Sequence, residues 1–202
     1  MGGTGLMHQG HLFIISGPSG AGKGTLVREL TAKIPALWVS VSATTRTPRP
    51  GERDAVDYFF LTVSEFEARV HHGEFLEHAE VHGNRYGTLR SAVERRLAQG
   101  VDVILEIDPQ GARQVHDQMK RSRLIFVKTA TTEELAARIR KRGAETEEQL
   151  RTRMVTAEHE LTLEGTYDYV VINDDVSRAT DELVGIIRSV GEEHPARPDD
   201  EG

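Results

Sequence analysis

Gly17-Pro18-Ser19-Gly20-Ala21-Gly22-Lys23-Gly24-Thr25 is preceded by the apolar run Leu12-Phe13-Ile14-Ile15-Ser16 and followed by Leu26, Leu30 and Ile34, four residues apart, before Pro35. The run reads as a buried strand and the spaced apolar residues as one face of a helix. The segment between them is therefore a glycine-rich turn from strand to helix, the setting a phosphate-binding loop requires. Glycines let several backbone N–H groups point inward, the helix N-terminus adds about half a positive charge, and Lys23 can reach the outer phosphates of a nucleotide. Every residue from Gly17 to Thr25 is thus a candidate contact to a donor nucleotide. Ser or Thr usually follows the lysine as a ligand for Mg²⁺; here Gly24 stands in that slot. Thr25 is expected to bond phosphate, leaving the cation to phosphates and water.

Working outward, Trp38 to Val41, Val101 to Ile107, Leu124 to Lys128 and Tyr169 to Ile172 read as further strands. Four capping boxes, Ser64/Glu67, Ser91/Glu94, Thr131/Glu134 and Thr146/Gln149, open helices that should end near Gly73, Gly100, Gly143 and Gly165. Leu183, Ile186, Ile187 and Val190 mark a last amphipathic helix. Apolar strands separated by helices imply a parallel sheet covered by helices on both faces. Between Tyr58 and Tyr86 strand follows strand, with a hairpin turn at Gly83-Asn84, which suggests a small antiparallel insertion serving as a substrate lid. Thr44 to Asp57 reads as loop.

That loop holds Arg46 and Arg49 in a proline-stiffened stretch, Thr44-Thr45-Arg46-Thr47-Pro48-Arg49-Pro50-Gly51-Glu52, where two guanidinium groups three residues apart can converge on one dianion. Asp57-Tyr58-Phe59-Phe60, Phe75-Leu76-Glu77, Gly83-Asn84-Arg85-Tyr86-Gly87-Thr88, Leu105-Glu106-Ile107-Asp108-Pro109-Gln110-Gly111 and Ile172-Asn173-Asp174-Asp175 follow in turn.

In order and spacing these blocks, with the phosphate loop, resemble the guanylate kinase family from about Gly10 to about Val190. The resemblance implies an α/β, P-loop nucleoside monophosphate kinase fold with a GMP-binding insertion at about 42–90 and a helical lid at about 138–153. It implies transfer of the γ-phosphoryl group of ATP, with Mg²⁺, to GMP and also dGMP. Arg46, Arg49, Tyr58 and Tyr86 match the groups that grip the GMP phosphate. Ser42, Glu77 and Thr88 match those that read guanine, Thr88 standing where many relatives have serine. Glu106 and Asp108 lie beside the nucleotide, Glu106 where some members have aspartate. Asn173 matches a position near the adenine of ATP. Arg142 and Arg153 match phosphate-facing arginines of the lid, and with Lys23 and Arg46 form the expected catalytic set. Arg138 is either a third such arginine or part of a solvated helix face. Asp108 is a candidate to hold Mg²⁺ through water, or else a helix N-cap or ribose contact. A non-catalytic interaction module of the same fold remains an alternative, although such modules typically lack an intact phosphate loop, and so does a kinase for another small phosphate, against which Glu77 argues.

The role of Glu77 follows from chemistry as well. Guanine presents N1–H and its 2-amino group side by side, two donors that one carboxylate accepts together. Adenine offers an acceptor at N1 and no 2-amino group, so a carboxylate facing it would be left unpaired and repelled.

Bulk properties narrow the alternatives. The 202 residues suit one domain, expected to span 10–190 between a flexible N-terminus, 1–9, and a disordered acidic tail, 191–202. No cysteine is present, which excludes disulfides, thiolate metal sites and a cysteine nucleophile. Net charge is −7, and the tail contributes five acids against Arg197, a poor basis for nucleic-acid binding. No apolar run approaches a signal or membrane segment, and the chain is expected to be cytoplasmic. The nine histidines follow no metal-ligand spacing and read as surface residues. Twenty of the 25 basic residues are arginine, the side chain suited to bidentate phosphate contacts.

Overall fold

Strand β1, Leu12–Ser16, is buried along its whole length and lies at the centre of a five-stranded parallel sheet. Its neighbours are β7 (Val103–Glu106) and β8 (Arg123–Lys128), flanked by β2 (Trp38–Val39) and β9 (Tyr169–Ile172). The computed structural model describes residues 9–81, 83–141 and 147–193. The period-two alternation of β1 feeds two cores. Phe13 and Ile15 pack with Leu26 and Leu30 of α1 (Lys23–Lys33) and with Leu183 and Ile187 of α7 (Val176–Glu193). Leu12 and Ile14 face the other way, onto Val93 and Leu97 of α3 (Arg90–Ala98) and Val115 of α4 (Pro109–Gln118). A strand apolar on every residue is what a sheet covered on both faces requires.

A second sheet carries several of the residues expected to bind the acceptor. It has the order β4 (Phe59–Phe60), β3 (Ala43–Thr44), β6 (Asn84–Leu89), β5 (Phe75–Val81). The hairpin of β5 and β6 is antiparallel as expected, but β3 and β4 run parallel, so the insertion is mixed rather than antiparallel. Strand β3 lies partly in the stretch read as loop; two residues pairing on both edges leave no periodicity to detect. Helix α2 (Val63–His71) sets the fully buried Phe66 against Phe75, ring centroids 4.5 Å apart.

The cap positions differ from expectation in three places. Helix α2 is capped two residues early, by Thr62 with Glu65, whose side chain and backbone groups bond reciprocally. Helix α3 has no side-chain cap; the amide of Arg90 bonds Glu74 O at 2.9 Å, so the adjoining chain satisfies it. Gly165 lies in a 3₁₀ turn, Glu164–Thr166, without positive φ, and α6 (Glu147–Leu161) ends before it. Thr131 does cap α5 (Thr132–Lys141), accepting from the Glu134 amide at 3.1 Å. Gly143 and Thr146 lie outside the described residues. Helix α7 runs to Glu193, so its last turn takes up the start of the stretch expected to be a disordered tail.

Helices α5 and α6 share a small core of Leu135, Ile139, Leu150 and Ala157. Among the described residues no helix is long and apolar enough to cross a membrane. His11 departs from the surface reading: its amide and its Nδ1 both lie on Asp102 Oδ1, at 2.7 and 3.1 Å. His116 Nδ1 similarly sits 2.9 Å from Ser122 Oγ.

Candidate active site

The loop leaves the C-terminal end of β1 and turns into α1 through Gly17, Gly20 and Gly22, all at positive φ. Gly22 is the N-cap of α1 and supplies no side-chain hydrogen bond to the opening amides of the helix, of which that of Thr25 bonds Gly22 O at 3.1 Å. Lys23 bends back over the loop and donates to Gly17 O and Pro18 O. Thr25 sits half-buried in the first turn of α1.

Three groups from the lid helices and β9 brace this loop. Asn173, 1% exposed, donates from Nδ2 to Ala21 O at 2.7 Å. Arg138 on α5 donates to the same carbonyl at 3.3 Å and to Asn173 O at 2.8 Å, and also pairs with Glu134. Arg153 on α6 donates to Ser19 Oγ at 2.8 Å. Asn173 thus lies behind the loop in this structure, holding its backbone. Of the lid arginines, Arg153 faces the cavity in front of the loop, and Arg142 lies outside the described residues.

That cavity, about 490 Å³, runs from the loop to Val81 at the end of β5. Glu106, Asp108, Arg153 and Glu160 line it together with Lys23. Asp108 caps α4, its Oδ1 accepting from the Gly111 amide at 2.7 Å. The helix-cap role is therefore real, and it coexists with a position on the cavity wall. Burial pushes the Glu160 carboxyl upward, opposed by the attraction of Lys23 and assisted by Asp108. Nothing singled out Glu160 in the sequence. Its only signal is the spacing Arg153, Thr156, Glu160, three residues on one face of α6.

On the acceptor side, Arg46 donates to Glu52 Oε1 at 2.9 Å and to Thr47 O at 2.8 Å. Glu52 Oε2 accepts from the Arg49 amide at 2.7 Å; the Arg46 hydrogen bond first, and this one second, hold the Glu52 carboxyl below the usual carboxylate range. The Arg46 guanidinium lies 5.3 Å from the centre of the Tyr58 ring, and the Tyr58 and Tyr86 rings are 6.2 Å apart. Arg46, Tyr58 and Tyr86 therefore converge, whereas the Arg49 side chain is exposed. Glu52 was missed as an individual site residue; the spacing Arg46, Arg49, Glu52 was the available signal.

Deeper in the insertion, Thr88 Oγ1 donates to Glu77 Oε1 at 2.7 Å. Both side chains are buried, and a Cβ on Gly111 would come within 3.0 Å of Glu77 Oε2, so α4 also presses on the carboxyl. Burial pushes the Glu77 carboxyl up to about 7, countered by the Thr88 hydrogen bond and assisted by the charge of Asp108. Ser42 directly precedes β3, whose Ala43 pairs with Gly87, the neighbour of Thr88, and its carbonyl accepts from the Phe59 amide at 2.9 Å.

A phosphate loop on a parallel sheet, a two-helix lid and a mixed-sheet insertion with clustered arginine and tyrosines define a P-loop nucleoside monophosphate kinase. The guanylate kinase family model matches residues 9–190. The guanylate kinase of Fusobacterium nucleatum is 46% identical over 183 residues, covering 91% of this chain and 98% of the relative. That of Parasynechococcus marenigrum is 48% identical over 178 residues, covering 88% and 98%. The crystal structure of guanylate kinase from Anaplasma phagocytophilum superposes with a TM-score of 0.72 at 32% identity, over 90% of this chain and 86% of that one. The chain belongs to the guanylate kinase family.

Proposed function

We propose that the chain transfers the γ-phosphoryl group of ATP to GMP, giving ADP and GDP, with the loop around Lys23 holding the donor and the pocket at Glu77 selecting the acceptor. The observation that carries this reading is the buried Glu77–Thr88 pair on the insertion, Glu77 standing on β5, the strand whose last residue, Val81, lines the cavity in front of the phosphate loop. An ionised Glu77 accepts from N1–H and the 2-amino group of guanine, and Thr88 keeps lone pairs to accept while its O–H donates to Glu77. Arg46, Tyr58 and Tyr86 take the GMP phosphate, and Arg49 joins them by swinging inward. dGMP presents the same base and phosphate and is expected as a second acceptor.

The attacking group is a phosphate oxygen, largely dianionic at neutral pH, so no general base is needed. The protein's task is to align two repelling anions and to stabilise charge on the group in flight. Lys23 and Arg46 reach it from the two sides, and Arg153 leaves Ser19 to join them as the lid closes. Arg142 is proposed as its partner. Asn173 and Arg138 hold the loop from behind, and closure limits hydrolysis by excluding water.

Mg²⁺ would supply neutralisation of the donor phosphates. Glu106 and Asp108, two hard oxygen donors beside Lys23, fit a hydrated cation of this kind and are the residues that would hold it through water. ATP and GMP are cytoplasmic metabolites, and the cytoplasm is the proposed site of action.

The test is a coupled assay of ATP with GMP, AMP, CMP or UMP, with and without Mg²⁺. Formation of GDP far above the other products is expected, and comparable phosphorylation of AMP would overturn the assignment of Glu77.

A further inference from the structure

Two departures from the common pattern lie 82 positions apart in the sequence, Gly24 after the lysine and Glu106 where aspartate also occurs, and they meet in the structure. A Cβ built on Gly24 would come within 3.3 Å of Glu106 Oε1 and 3.5 Å of Oε2. Gly24 is the second residue of α1 and is not among the positive-φ glycines, so the backbone itself makes no demand for glycine there. What glycine provides is room. Glu106 ends β7 opposite Ile15 of β1, which places it at the C-terminal end of the sheet where the loop departs. Both residues line the donor cavity with Lys23.

We propose that Gly24 and Glu106 are a matched pair, in which the Glu106 carboxylate takes the cation-facing place that a hydroxyl at position 24 would otherwise fill. A serine oxygen one bond beyond Cβ would either donate to Oε1 or displace it, and each outcome takes a carboxylate lone pair away from the cavity. Aspartate, one methylene shorter, draws back and leaves space for the hydroxyl. The two solutions differ in charge. A hydroxyl offers a dipole, whereas Glu106 places a full negative charge among the donor phosphates, favourable with a divalent cation present and repulsive without one. Discrimination between Mg²⁺-bound and bare nucleotide should therefore depend on Glu106, and the effect of changing either residue should depend on the other. This rests on the reading of the cavity as the ATP site.

The experiment titrates the β,γ-imido analogue of ATP calorimetrically into wild type, Gly24→Ser, Glu106→Asp, the double variant and Glu106→Gln, with and without Mg²⁺. Melting temperatures of the free proteins establish that all are folded. Glu106→Gln should reduce the Mg²⁺-dependent gain in affinity by about tenfold, partly through tighter Mg²⁺-free binding, as expected when a metal's outer partner is lost. Each of the other single changes should lower the gain, and the double variant should return to within about twofold of wild type. An additive cycle, or an unchanged Mg²⁺ gain in Glu106→Gln, overturns the pairing. Wild-type protein that binds no analogue even with Mg²⁺ overturns the ATP-site reading itself.

Discussion

The Thr88 hydroxyl donates to Glu77 Oε1 at 2.7 Å between side chains that are 1% and 7% exposed. Threonine thereby stabilises the charged form of an acid that burial pushes the other way, to about 7 in the empty protein. Only the ionised acid accepts both guanine donors, so affinity for GMP should rise as pH climbs from 6 to 8. In kcat/KM for GMP this is a rising limb near 7, separate from the one near pH 6 set by the acceptor phosphate itself. Thr88→Val removes the stabilising donor and should move the upper limb higher; Glu77→Gln should abolish it while leaving the lower one. An upper limb that persists in Glu77→Gln belongs to some other group.

The same burial sets a pH dependence of folding. Ionising Glu77 is harder in the folded chain than in the unfolded one, where its ordinary value is 4.5, so between 4.5 and about 7 the folded form retains a proton that the unfolded form has lost. Its contribution to stability is present in full below 4.5 and is lost as pH rises through 7. Glu77→Gln removes this loss. Relative to wild type, the unliganded variant should gain on the order of 2 kcal/mol between pH 5 and pH 8. Urea unfolding at the two pH values measures it, and a constant difference would mean that Glu77 ionises normally in the pocket.

Much of this was legible in the chain because it is written locally. The central strand, the loop at Lys23 and the helices opened by Thr131 and closed by Gly100 depend on neighbours a few residues away. The errors share another cause. The cap of α2 could be drawn from Thr62/Glu65 or Ser64/Glu67 with equal chemistry, and only the seat of Phe66 against Phe75 separates them. Helix α3 has its first amide bonded by Glu74, and β3 has no pattern apart from its partners. Site residues divide the same way. Arg46 and Arg49 announced themselves by spacing, but the carboxylate of Glu52 that fixes them, the Arg138–Asn173 brace and the contact of Gly24 with Glu106 arise only on folding.

Glu52 yields a prediction of its own. Arg46 donates to Glu52 and to Thr47 O, and Tyr86 also holds it, so its guanidinium is fixed in orientation for the incoming phosphate. Glu52→Gln keeps the shape but loses the charge-assisted bond, so KM for GMP should rise about fivefold to tenfold with kcat and KM for ATP little altered. A fall in KM for GMP would show instead that the carboxylate competes with the phosphate for Arg46.

Gly22 tests the brace behind the loop. It sits at φ 91°, and a Cβ there would lie 2.3 Å from Asn173 Nδ2, the atom that holds Ala21 O. Alanine at this position must bear the left-handed backbone, about 1–2 kcal/mol, and must also eject a buried amide from its hydrogen bond, about 1–3 kcal/mol. Gly22→Ala should therefore destabilise the protein by roughly 2–5 kcal/mol and weaken binding of an ATP analogue more than that of GMP. Asn173→Ala loses the bond but opens the space. Combined with Gly22→Ala it should cost less than the two changes summed, because the amide cannot be displaced once it is gone, while the backbone strain remains. Denaturant titration of the four proteins measures the difference, and strict additivity would mean that the loop escapes the contact by moving away from β9.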